Sequence, residues 1–277
     1  MAKVTVGVEN GTSVKLYFED HGTGDAVVLI HCWPLSSRIW EAQVPALVDA
    51  GYRVIAYDRR GFGWSSQPWD GYDYDTLAGD LRALLEHLDV HDATLVGYSM
   101  GGGEVVRYLA TYGAHRVARA VLAATALPYR YKTDDNPDGD ADDALIADFE
   151  DALKKDRLAF LEGFLQTWFG TRAQANIHEA RRSYAFQIAA FASPKATLDC
   201  IASISRTDFR ADLEKVRVPT LLIHGGSDVA VPWEVTSKRS HDIIATSELV
   251  IIEGAPHGLV LTHAEEFNRA LLEFLGR

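Results

Sequence analysis

Short, almost wholly apolar runs recur along this chain, and each is followed by turn residues and then by a longer segment with helical periodicity. The runs begin near residues 27, 53, 93, 117, 219 and 248. Apolar runs of this kind are typical of strands that helices cover on both faces, as happens in parallel sheets. The pattern predicts an α/β fold with a mostly parallel central sheet and helices on both of its faces.

The N-terminal segment has a different pattern. Two short strand-like stretches, at residues 5–6 and 14–18, flank a turn that contains Asn10-Gly11. An Asn-Gly pair favours the tight turn of a two-stranded hairpin. We therefore expect an antiparallel edge at the N-terminal side of the sheet.

The strand pattern is interrupted in the middle of the chain. Apolar residues there recur at helical spacing, as in Ile146, Phe149 and Leu153. A stretch of about eighty residues is too long for an ordinary connection, so we expect a helical cap over residues 128–208. The core domain would then consist of residues 1–127 and 209–277.

The acidic run at residues 134–143 leads into this cap. It has no Glu at the end that could bind calcium with both oxygens, and apolar residues follow it. We interpret it as a solvated loop before a helix whose first turn favours acidic residues.

Charge and cysteine content exclude several functions. The chain has 27 Lys and Arg against 39 Asp and Glu, a formal charge of −12, and an acidic chain without basic clusters is a poor candidate for binding nucleic acid or anionic membranes. It shows neither an apolar signal segment nor the roughly 18 apolar residues of a membrane span.

Cys32 and Cys200 are too few and too far apart for a disulfide framework or a Cys-based metal site. We expect a cytoplasmic protein without metal or cofactor that binds a small neutral or apolar molecule.

The motif G-x-S-x-G at residues 97–101 lies between an apolar run and a helix-like segment. A strand that turns sharply into a helix places the central Ser99 in a strained conformation, and only glycines at its second neighbours avoid a clash. The hydroxyl of Ser99 would stand over the helix N-terminus, where the amide of Met100 and the helix dipole favour negative charge. Ser99 is the candidate nucleophile.

A serine hydroxyl needs a base that an acid orients. Of ten histidines, His257 lies in a turn-rich loop after the last predicted strand, whereas His31 and His224 end strands and are interpreted as structural. Asp228 follows a strand and is the candidate acid, with a plain turn residue as the alternative. The order Ser99, Asp228, His257 is the order this strand-turn-helix nucleophile requires. A second oxyanion amide is expected at Trp33, in the loop after the third strand; the alternative is a merely structural turn.

Five segments, at residues 31–35, 58–66, 97–104, 224–228 and 254–259, together resemble the α/β-hydrolase superfamily. More narrowly, they resemble the branch that contains cofactor-free bacterial haloperoxidases (perhydrolases), aryl esterases and a γ-lactamase. The resemblance implies an α/β-hydrolase fold, a triad of Ser99, Asp228 and His257, and hydrogen peroxide as an acceptor beside water. Relatives in this branch are often oligomers, so a homo-oligomer is one expectation.

Cys32 departs from the pattern of this family, which usually has glycine at that position. If the backbone there has a positive φ, a cysteine adds strain that glycine avoids. Two interpretations stay open: a tolerated small substituent, or a residue that alters function. A second nucleophile is not expected, because no base is assigned to this thiol.

The hypothesis is acyl transfer from small aryl or short-chain esters through a covalent intermediate on Ser99. A γ-lactamase or amidase with the same triad is the alternative, and a non-catalytic ligand-binding protein on the same scaffold is a third. Aromatic residues of the cap predict a compact apolar pocket, although about half of them are expected to point away from it. The candidate pocket residues are Cys32, Trp33, Leu127, Phe164, Trp168 and Val231.

Overall fold

The computed structural model describes residues 1–170 and 177–276. Within these ranges the chain forms one eight-stranded sheet in the order β1-β2-β4-β3-β5-β6-β7-β8. The strands are β1 (Ala2–Glu9), β2 (Thr12–His21), β3 (Ala26–Ile30), β4 (Arg53–Tyr57), β5 (Ala93–Tyr98), β6 (Val117–Ala123), β7 (Thr220–Gly225) and β8 (Ser247–Ile252). From β4 to β8 neighbouring strands are parallel, which confirms the predicted mostly parallel sheet.

Helices connect the parallel strands. A 3-10 helix spans Ser37–Trp40. The α-helices are α1 (Gln43–Asp49), α2 (Tyr74–His87), α3 (Met100–Tyr112), α4 (Asp143–Trp168), α5 (Glu179–Phe191), α6 (Pro194–Arg206), α7 (Arg210–Leu213), α8 (Ser237–Ile243), α9 (Leu259–Thr262) and α10 (Ala264–Leu275). None of the helices in the described ranges is both long and apolar enough to cross a bilayer.

The N-terminal edge is the predicted hairpin. Strand β1 pairs antiparallel with β2, and β2 pairs antiparallel with β4. Asn10 and Gly11 both have positive φ, at 48° and 77°, which matches the right-handed twist of the flanking strands.

The central strands form the core of the sheet. Every residue of β3, β5 and β7 is buried, as the apolar runs predict for strands covered on both faces. Helices α2 and α3 pack against each other, and α1 packs against α10. This rigid sheet holds the loops at the carboxyl ends of its strands, where ligands bind in parallel α/β folds.

Between β6 and β7 the described chain is irregular up to residue 142 and then mainly helical from α4 to α7, as the apolar spacing predicts for this part. Helix α4 is interrupted at Asp156, where φ is −155° and ψ is 89°, and the carboxylate of Asp156 accepts a hydrogen bond from the N–H of Ala159 at 3.0 Å. Helices α5 and α6 both pack against α4. Residues 171–176 of the predicted cap lie outside the described residues, and the division into core and cap stays a prediction.

The acidic loop before α4 is mostly exposed, in agreement with its interpretation as solvated. The exceptions are Ala141, at 3% exposure, and the polar Asn136, at 1% exposure. Its amide donates to the carbonyls of Tyr129 and Tyr131 at 3.1 and 2.7 Å, and its side-chain oxygen accepts from Arg239 at 2.6 Å. The buried Asn136 therefore fixes the path of a loop that is otherwise in water.

Candidate active site

Ser99 lies at the sharp turn between β5 and α3. Its φ is 53° and its ψ is −116°, a strained conformation for a residue with a side chain. A Cβ added at Gly97 would lie 2.5 Å from the carbonyl oxygen of Gly101, and one added at Gly101 would lie 2.6 Å from that of Ile30. Close packing on both sides of Ser99 is thus the physical reason for the two flanking glycines.

The fold brings the three predicted catalytic residues together. His257 Nε2 lies 3.0 Å from the hydroxyl oxygen of Ser99, and His257 Nδ1 lies 2.6 Å from Asp228 Oδ2. An ionised carboxylate only accepts, so Nδ1 carries the proton and Nε2 is left to accept from the Ser99 hydroxyl. All three side chains are nearly removed from water, with Ser99 the most exposed at 9%.

Asp228 is held as an anion by its neighbours. Burial raises the pKa of this carboxyl, but the electrostatic interaction with His257 and the hydrogen bonds from His224 and His257 outweigh burial and lower the pKa well below its usual range. Its other oxygen accepts hydrogen bonds from the N–H groups of Ala230 and Val231 at 3.0 and 2.8 Å. The carboxylate therefore keeps its charge and orientation at every pH near neutrality.

His224 contacts Asp228 directly, a link that sequence reasoning missed. Its Nε2 lies 2.8 Å from the carbonyl oxygen of Val231 and 3.1 Å from Asp228 Oδ2, while Nδ1 lies 2.6 Å from the hydroxyl of Ser237. Because a carbonyl only accepts, Nε2 carries a proton and is shared between the two oxygens. In the sequence, the one feature that could have predicted this contact is that the histidine ends a strand four residues before the aspartate.

The loop that carries His257 is fixed by two backbone contacts. The hydroxyl of Tyr98 donates to the carbonyl of His257 at 2.5 Å, and the N–H of Gly258 donates to the carbonyl of Trp168 at 2.8 Å. The Trp168 ring stands edge-on to the imidazole with ring centres 6.3 Å apart. The end of α4 thus supports the position of the predicted base.

Ser99 and His257 open onto a cavity of about 630 Å³. Three predicted pocket residues, Trp33, Phe164 and Val231, line it. The rings of Trp33 and Phe164 meet edge to face at 5.0 Å. The cavity is thus bounded by the strand ends below and by α4 and α6 above.

The prediction was wrong for the other three pocket residues, Cys32, Leu127 and Trp168. None of them lines this cavity, because each is packed into the apolar core and is at most 2% exposed. Two aromatic rings that were not predicted, Phe149 and Phe160, take their place in the wall.

A family model described as "alpha/beta hydrolase fold" matches residues 25–264. The chain belongs to the α/β-hydrolase fold family. Its sequence is 41% identical to a non-heme chloroperoxidase of Kitasatospora aureofaciens, covering 95% of this chain and 97% of that protein. It is 39% identical to a bifunctional esterase/perhydrolase of Acinetobacter calcoaceticus, covering 95% of this chain and 96% of that protein.

A solved structure, that of a bromoperoxidase from Bacillus anthracis, is similar to this α/β hydrolase over its whole length. The two share 54% sequence identity and superpose with a TM-score of 0.95, over 100% of this chain and 99% of the other. This agrees with the branch of the superfamily that the sequence motifs resemble.

The predicted oxyanion donors of this α/β hydrolase follow the carboxyl ends of two neighbouring parallel strands, Trp33 after β3 and Met100 after β5. Met100 is the first residue of α3, so its N–H is among the amides that have no partner within the helix. Trp33 lies in the loop after β3, and its indole N–H donates to the carbonyl of Thr197 on α6 at 3.1 Å. This bond ties the loop to the helices above it. The role of both amides stays a prediction.

The backbone at Cys32 is not strained. A cysteine would be strained there only if φ were positive. Its φ is not positive, so a side chain is accepted at this position. Burial raises the pKa of its thiol to about 12, which keeps the sulfur protonated and a poor nucleophile. The tolerated-substituent interpretation therefore fits the backbone.

A metal site would need several close ligands. In residues 1–170 and 177–276 no group of three or more His, Cys, Asp or Glu side chains is arranged to hold a metal ion. The polar chemistry of the cavity floor is that of Ser99 and His257.

Proposed function

We propose that this α/β hydrolase cleaves small aryl or short-chain carboxylic esters through an acyl-enzyme on Ser99. The observation that carries the proposal is the unbroken series of hydrogen bonds from Ser99 through His257 to Asp228. The Ser99 end of this series opens onto a mainly apolar cavity. Serine, base and acid in this order and at these distances are the arrangement that activates a hydroxyl nucleophile.

In the acylation step the Ser99 oxygen forms a bond to the carbonyl carbon of the ester while its proton moves to His257 Nε2. The negative charge on the carbonyl oxygen is stabilised by the N–H groups of Trp33 and Met100. Collapse of this intermediate breaks the bond to the alcohol, which takes the proton from His257 and leaves. Asp228 stabilises the imidazolium throughout.

In the second step a water molecule gives a proton to His257 as its oxygen bonds to the acyl carbon. The bond from that carbon to the Ser99 oxygen then breaks, Ser99 takes the proton back from His257, and the acid leaves. Hydrogen peroxide can attack in the same way, and the product is then a peracid, which oxidises halide as it is reduced to the acid. The names of the chloroperoxidase, bromoperoxidase and esterase/perhydrolase relatives support this second acceptor.

Purified protein assayed on p-nitrophenyl acetate, with and without hydrogen peroxide, tests the proposal. We expect ester hydrolysis, and peracid formation when peroxide is present, both lost in Ser99→Ala. A protein that turns over a bicyclic γ-lactam but no ester would favour the lactamase alternative. Activity that survives in Ser99→Ala would contradict the proposal.

A cytoplasmic location and homo-oligomeric assembly are the two further parts of this proposal. Both rest on sequence and family resemblance. Cell fractionation and light scattering on the purified protein test them.

A further inference from the structure

Two opposite charges lie in the wall of the otherwise apolar cavity. Among its described lining residues the only Asp, Glu, Lys or Arg side chains are Arg130 and Asp140. Their neighbours in the wall are apolar or neutral, and include Leu145, Phe149 and Ile204. Charged residues placed among such neighbours need a structural or functional reason.

The two side chains form a two-pronged ion pair. Arg130 Nε donates to Asp140 Oδ1 at 2.9 Å, and Nη2 donates to Oδ2 at 2.6 Å. The arginine side chain is 15% exposed and the aspartate 23%. A paired fork of this kind fixes the direction of both groups and cancels their charges within the wall.

The backbone around the pair is also fixed. The carbonyl of Arg130 accepts a hydrogen bond from the N–H of Ala141 at 2.9 Å, and a Cβ added at Gly139 would lie 2.7 Å from that carbonyl. The buried Asn136 donates to the carbonyls on either side of Arg130, those of Tyr129 and Tyr131. The pair is therefore held at a set place beside the cavity.

We propose that this pair determines specificity: Asp140 neutralises Arg130 and thereby restricts the cavity to uncharged acyl and leaving groups. The proposal rests on the ester hydrolysis proposed above. A substrate carboxylate that enters the cavity loses its bound water. Asp140 repels this carboxylate. Asp140 also occupies the Arg130 guanidinium, which could otherwise replace the lost water by binding the carboxylate. Charge interactions are stronger in such a site than in water, so one uncompensated charge changes selectivity.

The test compares two esters of equal chain length, p-nitrophenyl hexanoate and the mono-p-nitrophenyl ester of adipic acid, which adds a distal carboxylate. The measured quantity is the ratio of kcat/KM for the anionic ester to kcat/KM for the neutral one. We expect Asp140→Asn to raise this ratio about tenfold and Arg130→Gln to lower it about tenfold, because each leaves one charge uncompensated. The double variant, again neutral, should return near the wild-type ratio.

Asp20→Asn is the matched control. Asp20 forms the same two-pronged pair with Arg53, at 3.0 and 2.7 Å, on strands away from the cavity. This variant should leave the ratio unchanged, so an effect of overall charge is separated from an effect inside the cavity.

An unchanged ratio in Asp140→Asn and in Arg130→Gln, with hydrolysis of the hexanoate intact, would overturn the proposal and leave a purely structural ion pair. If one variant fails to fold, as judged by its melting curve, the other still measures the sign of the effect. Failure of the wild-type protein to hydrolyse the hexanoate would instead overturn the proposed function.

Discussion

The site has two parts of different origin. The floor lies at the carboxyl ends of the strands, where Ser99 and His257 line the cavity and Asp228 lies behind His257, and the helical wall comes from α4 and α6. The floor residues are fixed by several directed hydrogen bonds each, from both backbone and side chains. The wall is held mainly by apolar and aromatic contacts, such as that between Trp33 and Phe164.

This difference separates two properties of the enzyme. Directed hydrogen bonds fix atoms to within a few tenths of an ångström, which a proton-transfer series needs. Apolar packing tolerates changes of shape, so the wall can differ between related proteins without loss of the reaction. We therefore expect changes in the floor to lower the rate on every substrate, and changes in the wall to alter the choice among substrates.

The largest effect is expected from Asp228→Asn, in the floor. An amide in place of the carboxylate no longer holds the His257 tautomer that accepts the serine proton, and kcat should fall about 10⁴-fold on every ester. Steady-state kinetics on esters of several sizes would measure this fall. Asp242→Asn, which removes an equal charge from the exposed side of α8, should behave as wild type. A fall in kcat that differs strongly between esters would contradict the expectation that changes in the floor affect all substrates equally.

Substitution of His224 tests whether this histidine positions Asp228 and so supports the three predicted catalytic residues. His224→Leu removes one hydrogen bond to Asp228, so kcat should fall about tenfold with KM little changed. Because that bond helps to lower the pKa of Asp228, its loss raises this pKa, and activity should be lost at a higher pH on the acidic side.

His224→Gln, which can still donate a hydrogen bond at this place, should recover part of both effects. A pH profile that does not move in His224→Leu would show that the histidine only supports the fold.

For the wall, Phe164→Ala should shift preference toward bulkier acyl groups. Loss of the ring enlarges the cavity, and the ratio of kcat/KM for p-nitrophenyl benzoate to that for p-nitrophenyl acetate should rise about tenfold. Leu158→Ala is the matched control, since Leu158 lies on the same helix and is 46% exposed. An equal loss of kcat on both esters would mean that Phe164 acts on the floor instead.

Much of the floor was predictable because its signals are local. The glycines around Ser99, the turn residues around His257 and the apolar strands each act over a few neighbouring residues. The role of His224 was missed because it depends on a hydrogen bond formed only when the strand end and the following loop fold back together.

The wall was less predictable because helical periodicity shows which residues are apolar but not which neighbour they face. Helix α4 is interrupted at Asp156, so a single helical periodicity does not run through it. Phe149 and Phe160 on this helix line the cavity, whereas Trp168 lies fully buried against His257.

The smallest effect is expected from the two thiols. Cys32 lies in the loop after β3 and Cys200 on α6 in the helical region. Both are fully buried, and burial raises the pKa of each thiol to about 12. Neither should react with a disulfide reagent such as dithionitrobenzoate in the native protein, and both should react after unfolding. Rapid reaction of Cys200 alone would show that the helical region opens independently of the sheet.

Covalent labelling tests the central claim, that Ser99 is the nucleophile, most directly. Diethyl p-nitrophenyl phosphate should release one equivalent of p-nitrophenol per chain and leave a diethyl phosphoryl group on the peptide that contains Ser99, as read by mass spectrometry. Ser99→Ala should release none. A label on any other residue, or full release from Ser99→Ala, would contradict the account.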